Sequence, residues 1–345
     1  SPCVVARSSI PDLILRANRL LDDGDVETSL ELLREAVSRQ PSNVAALELM
    51  AEAARRAVRW QEASFALKSA LALQPDNIGL QLRLGEVSLA MGDASAARDV
   101  FQQLTERYPH SDRAWAALGL LDARLGNLDR ALDELEHALR ENPLLPEVQL
   151  AQGELLLASG RVTEALEALR AASNLLHDDP QLEARLGQAL LATSSAEAAL
   201  RHLRVAAQGG FTPPDVQLAL VLALIENGLH SEAQRVLDSV AGDATGDSSV
   251  LRGLLLLERG DPAASESGLS KVAQARPNAP AVLNLLAASL YRQDRFDDAV
   301  AYLSRAVEVA PDDPNLAANL ERARAAAAAV RLRDAAQPVT VPSPE

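Results

Sequence analysis

Residues 112–143 read DRAWAALGLLDARLGNLDRALDELEHALRENP, and most of the remaining chain is this unit written again with variations. The unit predicts two amphipathic helices. Trp115, Leu118, Leu121 and Leu125 recur at helical spacing around Gly119, and Leu128, Ala131, Leu132, Leu135, Ala138 and Leu139 do so in the second half. Between them Gly126-Asn127 is a helix stop followed by a start. Pro143 closes the second helix, because it has no N–H to donate and disfavours helical geometry in Asn142.

Gly119 and Ala131 fall where two helices can approach only if no bulky side chain intervenes, while Trp115, Leu118 and Leu135 fill the space around them. A hairpin built this way cannot bury its own apolar faces, so it needs a similar neighbour on each side. The spacing Trp115, Leu118, Gly119, Ala131, Ala138, Pro143 resembles the tetratricopeptide repeat (TPR), W-x2-L-G-x2-Y, A-x3-F, A, P, with a period of roughly 34 residues. The unit departs from it at the Tyr position, Asp122, and at the Phe position, Leu135. Neither departure threatens the fold, because the small and terminating positions are kept. The resemblance implies an all-α fold: an α-solenoid wound as a right-handed superhelix of about nine helix-turn-helix repeats plus a C-terminal capping helix.

The Gly119 position recurs at Ala17, Ala51, Gly85, Gly153, Gly187, Val221, Gly253 and Ala287. Twelve residues further on in each case stand Ser29, Ala63, Ala97, Ala131, Ala165, Ala199, Ala233, Ser265 and Ala299, nothing larger than Ala. The terminating proline is present at Pro41, Pro75, Pro109, Pro143, Pro277 and Pro311; His177 and Phe211 replace it mid-chain, where Pro180 and Pro214 suit the first turn of the following helices. From Val221 to Gly253 the spacing is two residues short, and the joining AGDATGDSS predicts irregular stacking. The expected organisation is an unstructured leader over 1–9, repeats over 10–311, a capping helix over 312–335 with Glu321, Arg322, Arg324, Arg331 and Arg333 turned outward, and a disordered, proline-containing tail over 336–345. Because the chain begins at Ser1 rather than Met, an upstream segment is expected: a signal peptide, a lipid-anchored stub, another domain or a tag.

By length alone, 345 residues would suggest about two globular domains, but the repeat overrides that prior. Only 3% of residues are aromatic against 48% hydrophobic, mostly Ala and Leu, which suits thin helical layers rather than one thick core. A formal charge of −15 argues against nucleic acid or an anionic membrane as partner. Cys3 is the only cysteine, so no internal disulfide and no Cys-based metal site is expected. No run of 18 apolar residues occurs, so no transmembrane helix is expected. Nucleophile-elbow, zincin, P-loop and dinucleotide motifs are lacking, and His110, His137, His177, His202 and His230 have no second histidine at i+3 or i+4. The chain is therefore read as no enzyme, with no cofactor and no metal, and its acidic residues as outward or at helix starts such as Asp93 and Asp129.

What remains is a surface. The resemblance implies that the first helix of each repeat lines an inner, concave wall. The position after the Gly119 column gives Asn18, Glu52, Glu86, Leu120, Glu154, Gln188, Leu222, Leu254 and Ala288; four residues earlier lie Ile14, Glu48, Leu82, Ala116, Leu150, Ala184, Leu218, Val250 and Asn284. Glu48, Glu52 and Glu86 make the N-terminal part acidic, with Arg55 and Arg83 as neutralising partners; Leu218, Leu222, Val250 and Leu254 make the C-terminal part apolar. The plainer alternatives are a solvated face for the first and inter-repeat packing for the second. With Asn18, Glu154 and Asn284, these residues form the candidate partner-binding wall, expected to hold a protein or peptide segment with a basic and an apolar part. The chaperone-carboxylate clamp known in TPR proteins is matched at Asn18 and Arg83 but not at Ile14, Leu49 and Gly79, so that function is rejected. The expected role is a non-catalytic binding scaffold. The Ala-, Leu- and Arg-rich style resembles bacterial TPR scaffolds of envelope assembly and polysaccharide secretion, so a periplasmic or envelope location is favoured over a cytoplasmic one. The alternative is the regulatory or substrate-recruiting arm of an enzyme whose catalytic domain lies outside this chain.

Overall fold

A computed structural model describes residues 8–193, 195–240 and 246–335. The chain divides into two compact units, one ending at Leu175 and the other starting at Leu176, next to His177, which stands in the place of the terminating proline. In the first unit the helices are α1 (Ile10–Asp22), α2 (Val26–Arg39), α3 (Val44–Arg56), α4 (Trp60–Leu73), α5 (Ile78–Ala90), α6 (Ala94–Arg107), α7 (Asp112–Arg124), α8 (Leu128–Glu141), α9 (Pro146–Ala158) and α10 (Val162–Ser173). The second unit has α11 (Pro180–Ala192), α12 (Ala196–Gln208), α13 (Pro214–Glu226), α14 (His230–Ser239), α15 (Asp247–Glu258), α16 (Pro262–Ala275), α17 (Pro280–Tyr291), α18 (Phe296–Val309) and α19 (Pro314–Ala335). Among the described residues all regular structure is helical, arranged as successive hairpins in each unit with α19 following the last pair.

Two small-residue columns position the hairpins. Ser29, Ala63, Ala97, Ala131, Ala165, Ala199, Ala233, Ser265 and Ala299 are all wholly buried. The two serines are tolerated because each hydroxyl donates, at 2.8 Å, to the carbonyl of its hairpin partner in the glycine column, Ser29 to Ala17 and Ser265 to Gly253. Sixteen residues after the glycine column comes a buried filler: Leu33, Leu67, Phe101, Leu135, Leu169, Leu203, Leu237, Leu269 and Leu303. Only Phe101 is the aromatic of the repeat pattern. A Cβ on Gly85 would lie 2.3 Å from its ring, so a glycine stands opposite the phenylalanine.

Turns are built by local chemistry. After each of Pro41, Pro75 and Pro109 the second residue onward, Asn43, Asn77 or Ser111, caps the next helix by accepting from the backbone N–H of Ala46, Leu80 or Ala114. Trp115 Nε1 donates to the Pro109 carbonyl at 2.8 Å, and Gln149 Nε2 to that of Pro143 at 2.7 Å; Gln81 does the same to Pro75. Gln thus keeps the donor while losing the tryptophan ring. Within the hairpin, Gly126 sits at φ 79°, with its N–H bonded to the Ala123 carbonyl and that of Asn127 to Asp122, a Schellman turn. Val58 occupies the same left-handed position at φ 59°, where its neighbouring repeats have glycine.

Three expectations need correction. Asp122 is wholly buried, whereas Leu125 and Leu128, assigned to the apolar faces, are 47% and 37% exposed because they flank the turn. Ser9, assigned to the leader, is the N-cap of α1 and accepts from the Asp12 N–H at 3.2 Å. The leader residues 1–7 and the tail 336–345 lie outside the described residues, as do 241–245 of the short join, which α14 approaches as a helix of only 10 residues.

Candidate functional site

The first helices of unit 1 carry a groove of about 760 Å³ between α1 and α3. Pro11, Ile14, Leu15, Ala45 and Leu49 supply its apolar surface, and Asn18, Glu48, Glu52 and Arg83 its polar one. The spacing 11, 14, 15, 18 on α1 and 45, 48, 49, 52 on α3 is one face of each helix, which is why the residues converge. Leu15 is 52% exposed at this groove. A second groove of about 300 Å³ adjoins it, lined by Glu52, Arg55, Arg83 and Glu86 with Val87 and Leu67. The structure therefore brings Asn18, Glu48, Glu52, Arg55, Arg83 and Glu86 together, and leaves Glu154 apart from them, half-buried on α9.

The glutamates do not form a free anionic wall. Arg55 grips Glu52 with two bonds of 2.9 and 2.8 Å, Arg56 adds a third at 2.8 Å, and Arg83 lies 3.6 Å from Glu48. The Arg55 bonds, with the one from Arg56, hold the Glu52 carboxyl below its ordinary range against the opposing effect of burial. With three arginines set against Glu48, Glu52 and Glu86, the face is charge-balanced, and its distinctive feature is the apolar slot.

In unit 2, Leu218 and Leu222 on α13 and Val250 and Leu254 on α15 are half-buried. Leu218 and Leu254 also pack against the core around Leu220, Leu224 and Leu255. Asn284 on α17 is half-buried and accepts from Asn319 of α19 at 3.1 Å. The row of first-helix positions is not uniformly at the surface: Leu82, Leu150 and Ala184 are buried.

A buried charge cluster escapes the sequence reading. Arg98 on α6 donates to both carboxylate oxygens of Asp122 on α7 at 3.0 Å each, and Asn127 adds a bond at 3.2 Å. Glu134 on α8 lies nearby, with one carboxylate oxygen buried and lacking a partner. Burial, and then the Asp122 charge, push its carboxyl up to about 7. One signal was available: Asp122 stands in a column filled elsewhere by Leu20, Ala54, Ser88, Leu156, Leu190, Leu224, Leu256 and Leu290. Among the histidines, His137 stacks on Trp115 at 4.4 Å, and His202 and His110 lie 2.6 and 3.1 Å from Glu183 and Glu141. Among the described residues no group of His, Cys, Asp and Glu is arranged to hold a metal ion, and no helix is long and apolar enough to cross a membrane.

Two tetratricopeptide repeat family models match the chain, one over 54–121 and 256–323 and the other over 14–78 and 117–183. Together they span 14–183 and 256–323, and the chain belongs to the tetratricopeptide repeat family. PilF of Pseudomonas aeruginosa is similar in structure, with a TM-score of 0.50 at 18% identity over 56% of this chain and 88% of that one. A thermophilic TPR protein of Thermus thermophilus aligns at 25% identity and a TM-score of 0.43, over 53% of this chain and all of the other. No curated protein matches the sequence. The fold is that of a protein–protein interaction scaffold.

Proposed function

We propose that this chain is a non-catalytic scaffold whose first-helix faces hold a segment of a partner protein. The observation that carries the reading is the slot between α1 and α3, where exposed Leu15, with Ile14 and Leu49, is open to an apolar side chain and Asn18 stands at the rim to bond the partner's main chain. Because Glu48 and Glu52 are engaged by arginines, a basic group of the partner would have to displace Arg83 or Arg55, so apolar anchoring dominates on this face. The half-buried Leu218, Leu222, Val250 and Leu254 serve a second apolar contact on unit 2, and Asn284 on α17 is assigned a polar one. Glu154 is assigned a contact on α9 outside the slot. The Ala-, Leu- and Arg-rich style supports an assembly of the bacterial envelope or of polysaccharide secretion.

The test is affinity capture from the native host with the wild-type chain and with a Leu15→Asp, Asn18→Ala variant of unchanged helicity. The variant is expected to lose the captured partner, and the partner to fractionate with the cell envelope. Equal capture by both chains overturns the binding-face assignment, and a purely cytosolic partner overturns the envelope assignment.

A further inference from the structure

A third groove lies further along unit 1, away from α1 and α3. It measures about 520 Å³, with walls from α8 and α10 and a floor from α9. Leu132, Leu139 and Leu156 supply its apolar surface, and Asp133, Glu136, Glu164 and Glu167 face it.

Its polar groups are unbalanced in one particular way. Glu164 is engaged by Arg161 through bonds of 2.8 and 2.6 Å, which uses the one cation that lines the groove among the described residues. Among the described residues, Asp133, Glu136 and Glu167 have neither a hydrogen bond nor an ion pair. Beneath them Gln149 is only 8% exposed; its amide nitrogen is committed to the Pro143 carbonyl, and its Oε1 has no hydrogen-bond partner. Gln152, whose amide both donates and accepts, also lines the groove, while the carboxylates without a cation and the buried Oε1 are all acceptors. A ligand that satisfies this set carries only donors in its polar head and brings an apolar stem to the leucines. A lysine or arginine side chain has that composition.

We infer that the α8–α10 groove is a docking site for a basic segment of a partner protein, whose lysine or arginine heads meet Asp133, Glu136 and Glu167 while their methylene stems lie on Leu132 and Leu139. The site is independent of the slot between α1 and α3, and it accounts for a basic partner better than the charge-balanced first-helix face does. The repulsion among three neighbouring carboxylates is relieved when the cations arrive, so association at this groove is salt-sensitive.

A synthetic peptide alternating lysine and leucine is the probe, titrated into the full chain by fluorescence anisotropy at low and at physiological salt. Asp133→Asn with Glu136→Gln and Glu167→Gln is expected to weaken binding about tenfold and to flatten its salt dependence. A control that neutralises as many exposed carboxylates elsewhere, Asp22→Asn with Asp99→Asn and Glu106→Gln, is expected to bind within about twofold of wild type. Carbodiimide coupling of the bound peptide is expected to tag Asp133, Glu136 or Glu167. Equal weakening by the control triple, unchanged binding by the groove triple, or coupling spread over other carboxylates would each overturn the site.

Discussion

Gly119 and Leu135 are in contact so close that a single added carbon has no room. A Cβ on Gly119 would lie 2.8 Å from Leu135 Cδ2 and 3.0 Å from the Leu135 backbone nitrogen. The side chain could swing aside, but the nitrogen belongs to α8 and can retreat only if the helix does. Gly119→Leu is therefore expected to lower stability by about 1–3 kcal/mol, and Ala131→Leu similarly, because overpacking forces the two helices apart. Urea unfolding followed by circular dichroism measures this; a wild-type midpoint in either variant would put the repeat register wrong.

That register was legible because glycine and alanine at fixed spacing have one steric reason to recur, and the reason is local to a hairpin. Asp122 was not legible in the same way. Its partner Arg98 lies 24 residues upstream on the preceding repeat, and helical periodicity says nothing about a pair that crosses repeats. Leu125 and Leu128 misled for the opposite cause: both fit the apolar period, yet they border a turn where no neighbouring helix covers them. On the first-helix face, sequence placed Glu48 and Glu52 near Arg83 and Arg55, but whether the charges balance depends on side-chain reach, which only coordinates supply.

The Arg98–Asp122–Glu134 cluster makes stability depend on pH. Burial lifts the folded pKa of Glu134 to about 7 from an ordinary 4.5, with Asp122 and Asp133 adding to the rise and Arg98 and Arg130 opposing it. Between those values the folded chain holds a proton that the unfolded chain has released. The favourable contribution of the neutral carboxyl is therefore complete below about 4.5 and is lost as pH rises through about 7. Glu134→Gln mimics the protonated form at every pH, so its melting temperature should exceed that of wild type by a margin that grows from pH 5 to pH 8. A margin independent of pH would count against the titration.

Removing the cation tests the same cluster from the other side. Asp122 is wholly buried, and Arg98→Met leaves its charge with Asn127 as its remaining donor. A cost of about 3 kcal/mol or more is expected, because an uncompensated buried charge is more damaging than an absent pair. The double variant Arg98→Met, Asp122→Leu, which restores the leucine found at that position in other repeats, should recover most of it. Chemical denaturation of the two variants gives the comparison.

Val58 is a β-branched residue in left-handed geometry at φ 59°, and it is 65% exposed. Its backbone bonds match those of the glycine turns, with the Val58 N–H on Arg55 and that of Arg59 on Ala54, so the strain is tolerated for the sake of the turn. Val58→Gly should stabilise the chain by about 1 kcal/mol, since glycine reaches this conformation without a Cβ penalty. The reverse change, Gly126→Val, should destabilise by a similar amount. Paired thermal melts showing no difference in sign would mean that the turn relaxes around the side chain.

The end of unit 2 rests on α19. Leu316, Leu320, Ala323 and Ala327 form one stripe along it, each at most 6% exposed. Leu320 and Ala323 pack with Leu286, Leu290 and Leu303, and Leu316 with Leu283 and Ala306, while Glu321, Arg322 and Arg324 face outward. Deleting residues 312–345 uncovers Leu283, Leu286 and Leu290 together and removes the burial of two leucines at about 1.5–3 kcal/mol each. The truncated chain should melt earlier and associate as its concentration rises, because a solenoid end without a polar cap presents a contiguous apolar face. Deleting only 336–345 leaves every one of these contacts in place and should change neither property. Melting curves and light scattering over a concentration series separate the two truncations, and a 312–345 deletion as stable and as monodisperse as the shorter one would show that α19 caps nothing.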